Sequence, residues 1–109
     1  MKTKMTKIEL TIGLNTSKRI LTINKNAKPA KTYHEAVDIL KQFLTAKSIN
    51  CFTTIPCTGV WNGELEDSIR VEIWTFENFD WKCVEQLVDL MQQDCIMAIW
   101  NNGQPEFVE

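Results

Sequence analysis

At 109 residues, with 44% hydrophobic and 24% charged side chains, the chain has the make-up of one globular domain built on one core. Four glycines and three prolines leave no low-complexity stretch, which excludes a linker-like or largely disordered protein. A formal net charge of −2 argues against a general binder of double-stranded DNA, which needs a net basic face.

The N-terminal segment Met1–Lys7 is basic but leads into an alternating pattern and not into the apolar run of a signal peptide. Residues 1–6 read as a flexible end. In Ile8, Leu10, Ile12 and Leu14, apolar residues alternate with Glu9, Thr11 and Gly13, the period of two of a strand with one buried face. Asn15-Thr16-Ser17-Lys18 is rich in turn formers, and Arg19–Asn24 (RILTIN) is β-prone, so a second strand folding back as a hairpin, or a mobile loop, is expected over residues 16–31. Charge is lopsided across this boundary. Lys2, Lys4, Lys7, Lys18, Arg19, Lys25, Lys28 and Lys31 face Glu9 alone in residues 1–31, whereas residues 32–109 hold four cations against thirteen carboxylates. Such polarity steers an anion to the basic part, or packs that part against the acidic body of another copy.

Thr32-Tyr33-His34-Glu35 has the form of a capping box and predicts a helix from there to about Lys47, with Ala36, Val37, Leu40, Phe43 and Leu44 on its apolar stripe. Asn50–Trp61 and Asp67–Phe76 read as strands joined through Asn62-Gly63, a dipeptide suited to the positive φ of a type I′ turn. Pro56 makes the first of these bent, bulged or an edge strand. A second helix is expected after an Asn78 or Asp80 cap, with Trp81, Val84, Leu87, Val88 and Met91 on its stripe and its end near Asp94. Cys95–Trp100 is a final strand, Asn102-Gly103 a turn, and residues 104–109 a tail or short edge strand. The order β(β)αββαβ predicts an α+β domain of ferredoxin-like type, two helices on one face of a mostly antiparallel sheet.

Four cysteines and a single histidine lack the paired spacings of a zinc site, so Cys51, Cys57, Cys83 and Cys95 read as reduced core thiols and no cofactor or metal is expected. The densest chemical segment is Thr58–Ser68, where Trp61 offers a stacking platform and Glu64, Glu66 and Asp67 accept hydrogen bonds from a ligand. Lys18 and Arg19, with Thr16 and Ser17, are candidates for a phosphate, and Glu66 and Arg70 for polar recognition. Trp74 and Phe76 fall with Arg70 and Glu72 on the sheet face opposite Ile69, Val71 and Ile73, which predicts an interface. His34 has Asp38 one turn on but no marked nucleophile nearby.

Two resemblances follow from these segments. Ile12-Gly13-Leu14-Asn15, followed by a helix and then Gly59-x-Trp61-x-Gly63-x-x-Glu66-x-Ser68, resembles small uncharacterised α+β proteins of bacteriophages and prophages. Residues 61–75 and the end Ala98-Ile99-Trp100-Asn101-Asn102-Gly103-Gln104-Pro105 are similar to the trimeric CutA relatives of the PII signalling proteins. The resemblances imply a ferredoxin-like chain that self-associates as a dimer or trimer and binds ligands between subunits, in the bacterial host cytosol if phage-encoded. The expectation from sequence is therefore a non-enzymatic, homo-oligomeric binding protein that sequesters a small anionic, nucleotide-like ligand. The alternatives are an acidic inhibitor of a host defence protein, and a small enzyme centred on His34 or on Glu64, Glu66 and Asp67. No double-stranded DNA and no membrane partner is expected.

Overall fold

The computed structural model describes residues 4–109, and within them eight elements follow in the order β1 (Thr6–Gly13), α1 (Lys18–Ile23), α2 (Tyr33–Ala46), β2 (Phe52–Trp61), β3 (Glu64–Thr75), α3 (Trp81–Leu90), β4 (Ile96–Trp100) and β5 (Glu106–Val108). The strands form a five-stranded sheet in the order β2-β3-β1-β4-β5, with every neighbouring pair antiparallel. Alternation decides which face is covered. Ile8, Leu10 and Ile12 of β1, Ile69, Val71 and Ile73 of β3, and Ile96 and Ala98 of β4 are buried. They form one cluster with Ala36, Leu40 and Leu44 of α2 and Val84, Leu87 and Val88 of α3. The opposite face carries Lys7, Glu9, Thr11, Arg70, Glu72 and Trp74, none of them in that cluster.

Local chemistry accounts for the ends of the elements. The Thr32 hydroxyl accepts from the Glu35 amide while the Glu35 carboxylate accepts from the Thr32 amide, closing the capping box of α2. Asp80 caps α3 by accepting from the amides of Lys82 and Cys83. Asn62 and Gly63, with φ of 52° and 79°, make the positive-φ turn between β2 and β3. The turn before β5 uses Asn101 and Asn102, at φ of 50° and 59°, one residue earlier than the Asn-Gly pair suggests. Pro56 is accommodated because β2 lies at the edge of the sheet.

Several expectations are corrected. Among the described residues there are three helices, not two. Arg19–Asn24, β-prone by composition, forms most of the six-residue α1 and not a strand. None of its residues is buried, so its shape is set by the Ser17 cap and by the segments holding it: Thr16 donates its amide to the Pro29 carbonyl and Ser17 donates its own to that of Gln92. An isolated bridge between Asn15 and Ala30 closes the loop. The expected core position of the cysteines is corrected: none is fully buried, Cys51 being exposed and the other three half-buried, and of these Cys83 packs against the core cluster. Of the N-terminal residues read as flexible, Thr6 already pairs with Thr75, and residues 1–3 lie outside the described ones. No helix among the described residues is long and apolar enough to cross a membrane.

Candidate functional site

The β2–β3 hairpin is longer than the sheet that carries it. β1 ends at Gly13, opposite Ser68, so Glu64–Asp67 and their partners Thr58–Trp61 continue beyond it as a two-stranded ribbon. Two-stranded ribbons twist more strongly than wide sheets. This one curls back across the helix-free face, bringing the Trp61 ring to 6.4 Å from that of Phe107 on the opposite edge strand, nearly perpendicular to it at 82°.

Beneath the curled ribbon lies a cleft of about 640 Å³, within the range of roughly 300–1,000 Å³ common for small-molecule sites. Thr11, Gly13 and the Asn15–Lys18 turn line one side, Gln93, Asp94 and Cys95 another, and Val60, Trp61, Glu64, Leu65, Glu66 and Phe107 complete it. Gly59, Trp61, Glu64, Glu66 and Gly13 share one sheet face, because each is an even number of residues from the next along its strand or is its cross-strand partner.

Two glycines make room for the two most distinctive side chains. A Cβ built on Gly13 would come within 2.4 Å of the Glu66 carboxylate, which therefore rests on the bare backbone of β1. There Glu66 Oε2 accepts the Asn15 amide at 3.0 Å, and burial raises the Glu66 pKa above its ordinary value of 4.5. A Cβ on Gly59 would come within 2.7 Å of Trp61 Nε1, so the indole lies back over that residue, its N–H buried and without a hydrogen-bond partner. Both glycines belong to the segments on which the phage resemblance rests.

The wall opposite the ribbon is fixed by polar contacts. Ser17 Oγ donates to Asp94 Oδ1 at 2.6 Å, and Gln93 Nε2 donates to the carbonyls of Asn15 at 2.7 Å and Met91 at 3.1 Å. Lys31 Nζ donates to the Met91 carbonyl at 2.6 Å, and burial holds its pKa below the ordinary lysine value. Cys95 also lines the cleft, its thiol pushed up by burial and by Asp94.

Of the residues singled out from sequence, Lys18, Trp61 and Glu66 line the cleft together. Arg19 and Arg70 do not line it. Arg19 Nε stands 3.9 Å from Asp94, and Arg70 donates to Glu9 Oε2 at 2.6 Å in a separate network on the open face, where Lys7 also pairs with Glu9 at 2.8 Å. That network holds the Glu9 pKa down, chiefly through the Lys7 hydrogen bond. The hydroxyls expected to cradle phosphate are engaged elsewhere, Ser17 with Asp94 and Thr16 with the Lys28 carbonyl. Glu64, Glu66 and Asp67 do not converge, since Asp67 faces the other side of the strand. Among the described residues no group of three His, Cys, Asp or Glu side chains gathers where it could hold a metal ion. His34 is exposed on α2 and lies outside the cleft lining. Trp74 is exposed on the helix-free face, with Lys7 Nζ 5.3 Å from its ring centre, and Phe76 is exposed just past the end of β3.

Sequence reasoning missed Asn15, Gln93, Asp94, Cys95 and Phe107 as cleft residues. Their only signal was indirect: Gln93–Cys95 and Asn15 flank strand ends, and Phe107 is an aromatic in a short polar tail. Charge also points away from the anion expected. Glu64, Glu66 and Asp94 outnumber Lys18 in the lining, which suits a cationic ligand.

No family model matches the chain, and no curated protein matches it either. Among solved structures it is similar to a phage SAM lyase in its apo state, with a TM-score of 0.69 and 16% sequence identity over 94% of this chain and 87% of the other. At that identity the likeness establishes a shared fold. It nevertheless corrects the non-enzymatic expectation, because the backbone followed over almost the whole chain is one that an enzyme uses. A cleft held by glycines and backbone amides carries no catalytic spacing motif, so composition and periodicity had nothing to register.

Proposed function

We propose that this chain is a small, phage-type enzyme that cleaves S-adenosylmethionine as a lyase, in the cleft beneath the curled hairpin of a ferredoxin-like sheet. The observation that carries the reading is the pairing, in one cleft, of a half-buried carboxylate seated on Gly13 with an indole seated on Gly59. The likeness in fold to a phage SAM lyase adds support. So does the strand order, in which β3 lies between β1 and β2 as a split β-α-β unit requires.

The substrate's chemistry fits the lining. S-adenosylmethionine joins a planar base and a ribose diol to a sulfonium cation and an amino acid. Trp61 offers a face for the base. Glu66 keeps one oxygen on the Asn15 amide and has the other to accept from a ribose hydroxyl or the ammonium group. Lys18, exposed at the rim, attracts the substrate carboxylate.

A lyase cleaves without water. When a C–S bond of a sulfonium breaks, its electron pair passes to sulfur, the positive charge disappears and a neutral thioether leaves. The carbon left behind is satisfied within the substrate by closure of its own carboxylate, whose oxygen forms a C–O bond as the C–S bond breaks, so that a lactone leaves with no proton to place. A carboxylate against the sulfur would hold the charged ground state more tightly than the transition state and slow this step. Apolar surroundings at the sulfur do the reverse. Val60 and Leu65 supply that apolar surface, while Glu66 is held at the floor by the Asn15 amide.

Incubating the purified chain with S-adenosylmethionine and separating the products by reverse-phase chromatography tests the proposal. An adenine-containing thioether should accumulate without added metal, cofactor or oxidant, and S-adenosylhomocysteine, which lacks the sulfonium charge, should remain intact. Unchanged S-adenosylmethionine at enzyme concentrations near stoichiometric would sink the reading.

A further inference from the structure

Phe107 is an oddity of the C-terminal edge. It sits on the three-residue strand β5, opposite Met97, with 59% of its surface exposed although smaller or polar residues would leave less apolar area in water. Its neighbour on the strand, Val108, turns the other way and is buried, which anchors β5 without any help from Phe107. The contact that does engage Phe107 is the edge-to-face approach to Trp61, made across the width of the sheet. Both rings line the same cleft, and at 82° to each other they form an inside corner.

An inside corner of this kind is selective. A planar ring laid flat on one wall presents its edge to the other, so it gains a stacked contact and an edge-to-face contact at once. A non-planar or aliphatic group gains neither geometry. We infer that Phe107 is a specificity-determining residue, which with Trp61 forms an aromatic corner that accepts the base of an adenosine-containing substrate. This rests on the proposed function for the identity of the substrate, but the corner itself is a property of the two rings. It also gives β5 a role beyond completing the sheet edge: it carries the second wall of the site to the far side of the cleft from the hairpin.

The test uses three variants, Phe107→Ala, Phe107→Tyr and Trp61→Ala, and two probes, S-adenosylmethionine turnover and adenosine binding by titration calorimetry. For turnover, Phe107→Ala should raise KM roughly fivefold to tenfold with kcat within about twofold, as expected for loss of one aromatic contact to a part of the substrate remote from the bond broken. Phe107→Tyr should restore the wild-type KM, and the melting temperature of all Phe107 variants should stay near that of the wild type because the ring is mostly exposed. For binding, adenosine should bind the wild type, and both alanine variants should weaken it. Adenosine binding that depends on Phe107, in a protein that leaves S-adenosylmethionine intact, would contradict the proposed reaction and support the corner. Turnover whose KM is the same in Phe107→Ala, or adenosine binding that ignores Phe107, would overturn the corner and leave the reaction standing. A wild type that neither turns over S-adenosylmethionine nor binds adenosine would overturn both.

Discussion

At Gly13 any side chain must displace the Glu66 carboxylate, since the new Cβ would lie 2.4 Å from one of its oxygens. Gly13→Ala should therefore lower kcat/KM for S-adenosylmethionine at least about tenfold, equivalent to roughly 1.4 kcal/mol, by moving a group it does not itself replace. The mechanism is checked by combining it with Glu66→Gln: two changes acting through one carboxylate should fall well short of additive. The same carboxylate sets a pH dependence. Burial raises its pKa, so the folded state holds the Glu66 proton more tightly than the unfolded chain does. Its contribution to stability is thus complete below the ordinary value of 4.5 and disappears as pH rises through the raised folded value. Activity that needs the ionised form rises over the same interval. A pH profile of kcat/KM should show an acid limb with an apparent pKa above 4.5, and Glu66→Gln should lack it. Trp61 and Glu66 were legible in the sequence as neighbours in one chemically dense hairpin, because the Asn-Gly turn fixes the register of its own two strands. Their glycine seats were not, because nothing in a one-dimensional pattern tells a glycine that frees space from one that bends the chain.

Among the elements, α2 gives the clearest agreement between residues and structure, and α1 the clearest disagreement. The capping box of α2 is purely local, so Thr32 and Glu35 announce it and the fold keeps it. Replacing Thr32 with alanine should destabilise the protein by about 1 kcal/mol, measured by urea denaturation. The Lys28 hydrogen bond, then the Thr32 amide, hold Glu35 down from 4.5 to about 2. A lowered carboxylate pKa contributes stability above the unfolded value of 4.5, lost as pH falls toward 2, so acid titration should destabilise the wild type more than Glu35→Gln across that window. Solvent screens this exposed pair, and added salt should shrink the difference. In α1 the argument runs the other way. Ile20, Thr22 and Ile23 favour a strand by propensity, yet a strand there would need a ladder partner, and Leu14 and Asp67 already use their backbone groups to end the β1–β3 pairing. Held at Ser17 by Gln92 and at Thr16 by Pro29, the segment closes into a short helix. Such tertiary decisions leave no local trace.

For the whole molecule, four cations of the basic N-terminal third serve as internal ties. Lys7 pairs with Glu9, Lys28 with Glu35, Arg19 approaches Asp94, and Lys31 donates to the Met91 carbonyl at the end of α3. What remains is a cleft with more carboxylates than cations, roofed by apolar side chains, on the sheet face that no helix covers. The general plan of helices on one face of a sheet that ends in a Trp-Asn-Gly hairpin was readable from alternation and turn chemistry; the curl of that hairpin over the other face was not. The cleft was not, because it gathers residues from both ends of the chain, Thr11 to Lys18 and Gln93 to Phe107, around the hairpin. The most direct test of this account is the rate at which the purified wild type and Glu66→Gln cleave S-adenosylmethionine, with both proteins shown to be folded by their melting temperatures. The wild type should release an adenine-containing thioether catalytically, with kcat/KM reduced at least about tenfold in Glu66→Gln. Equal rates in the two proteins, or no cleavage by either, would contradict it.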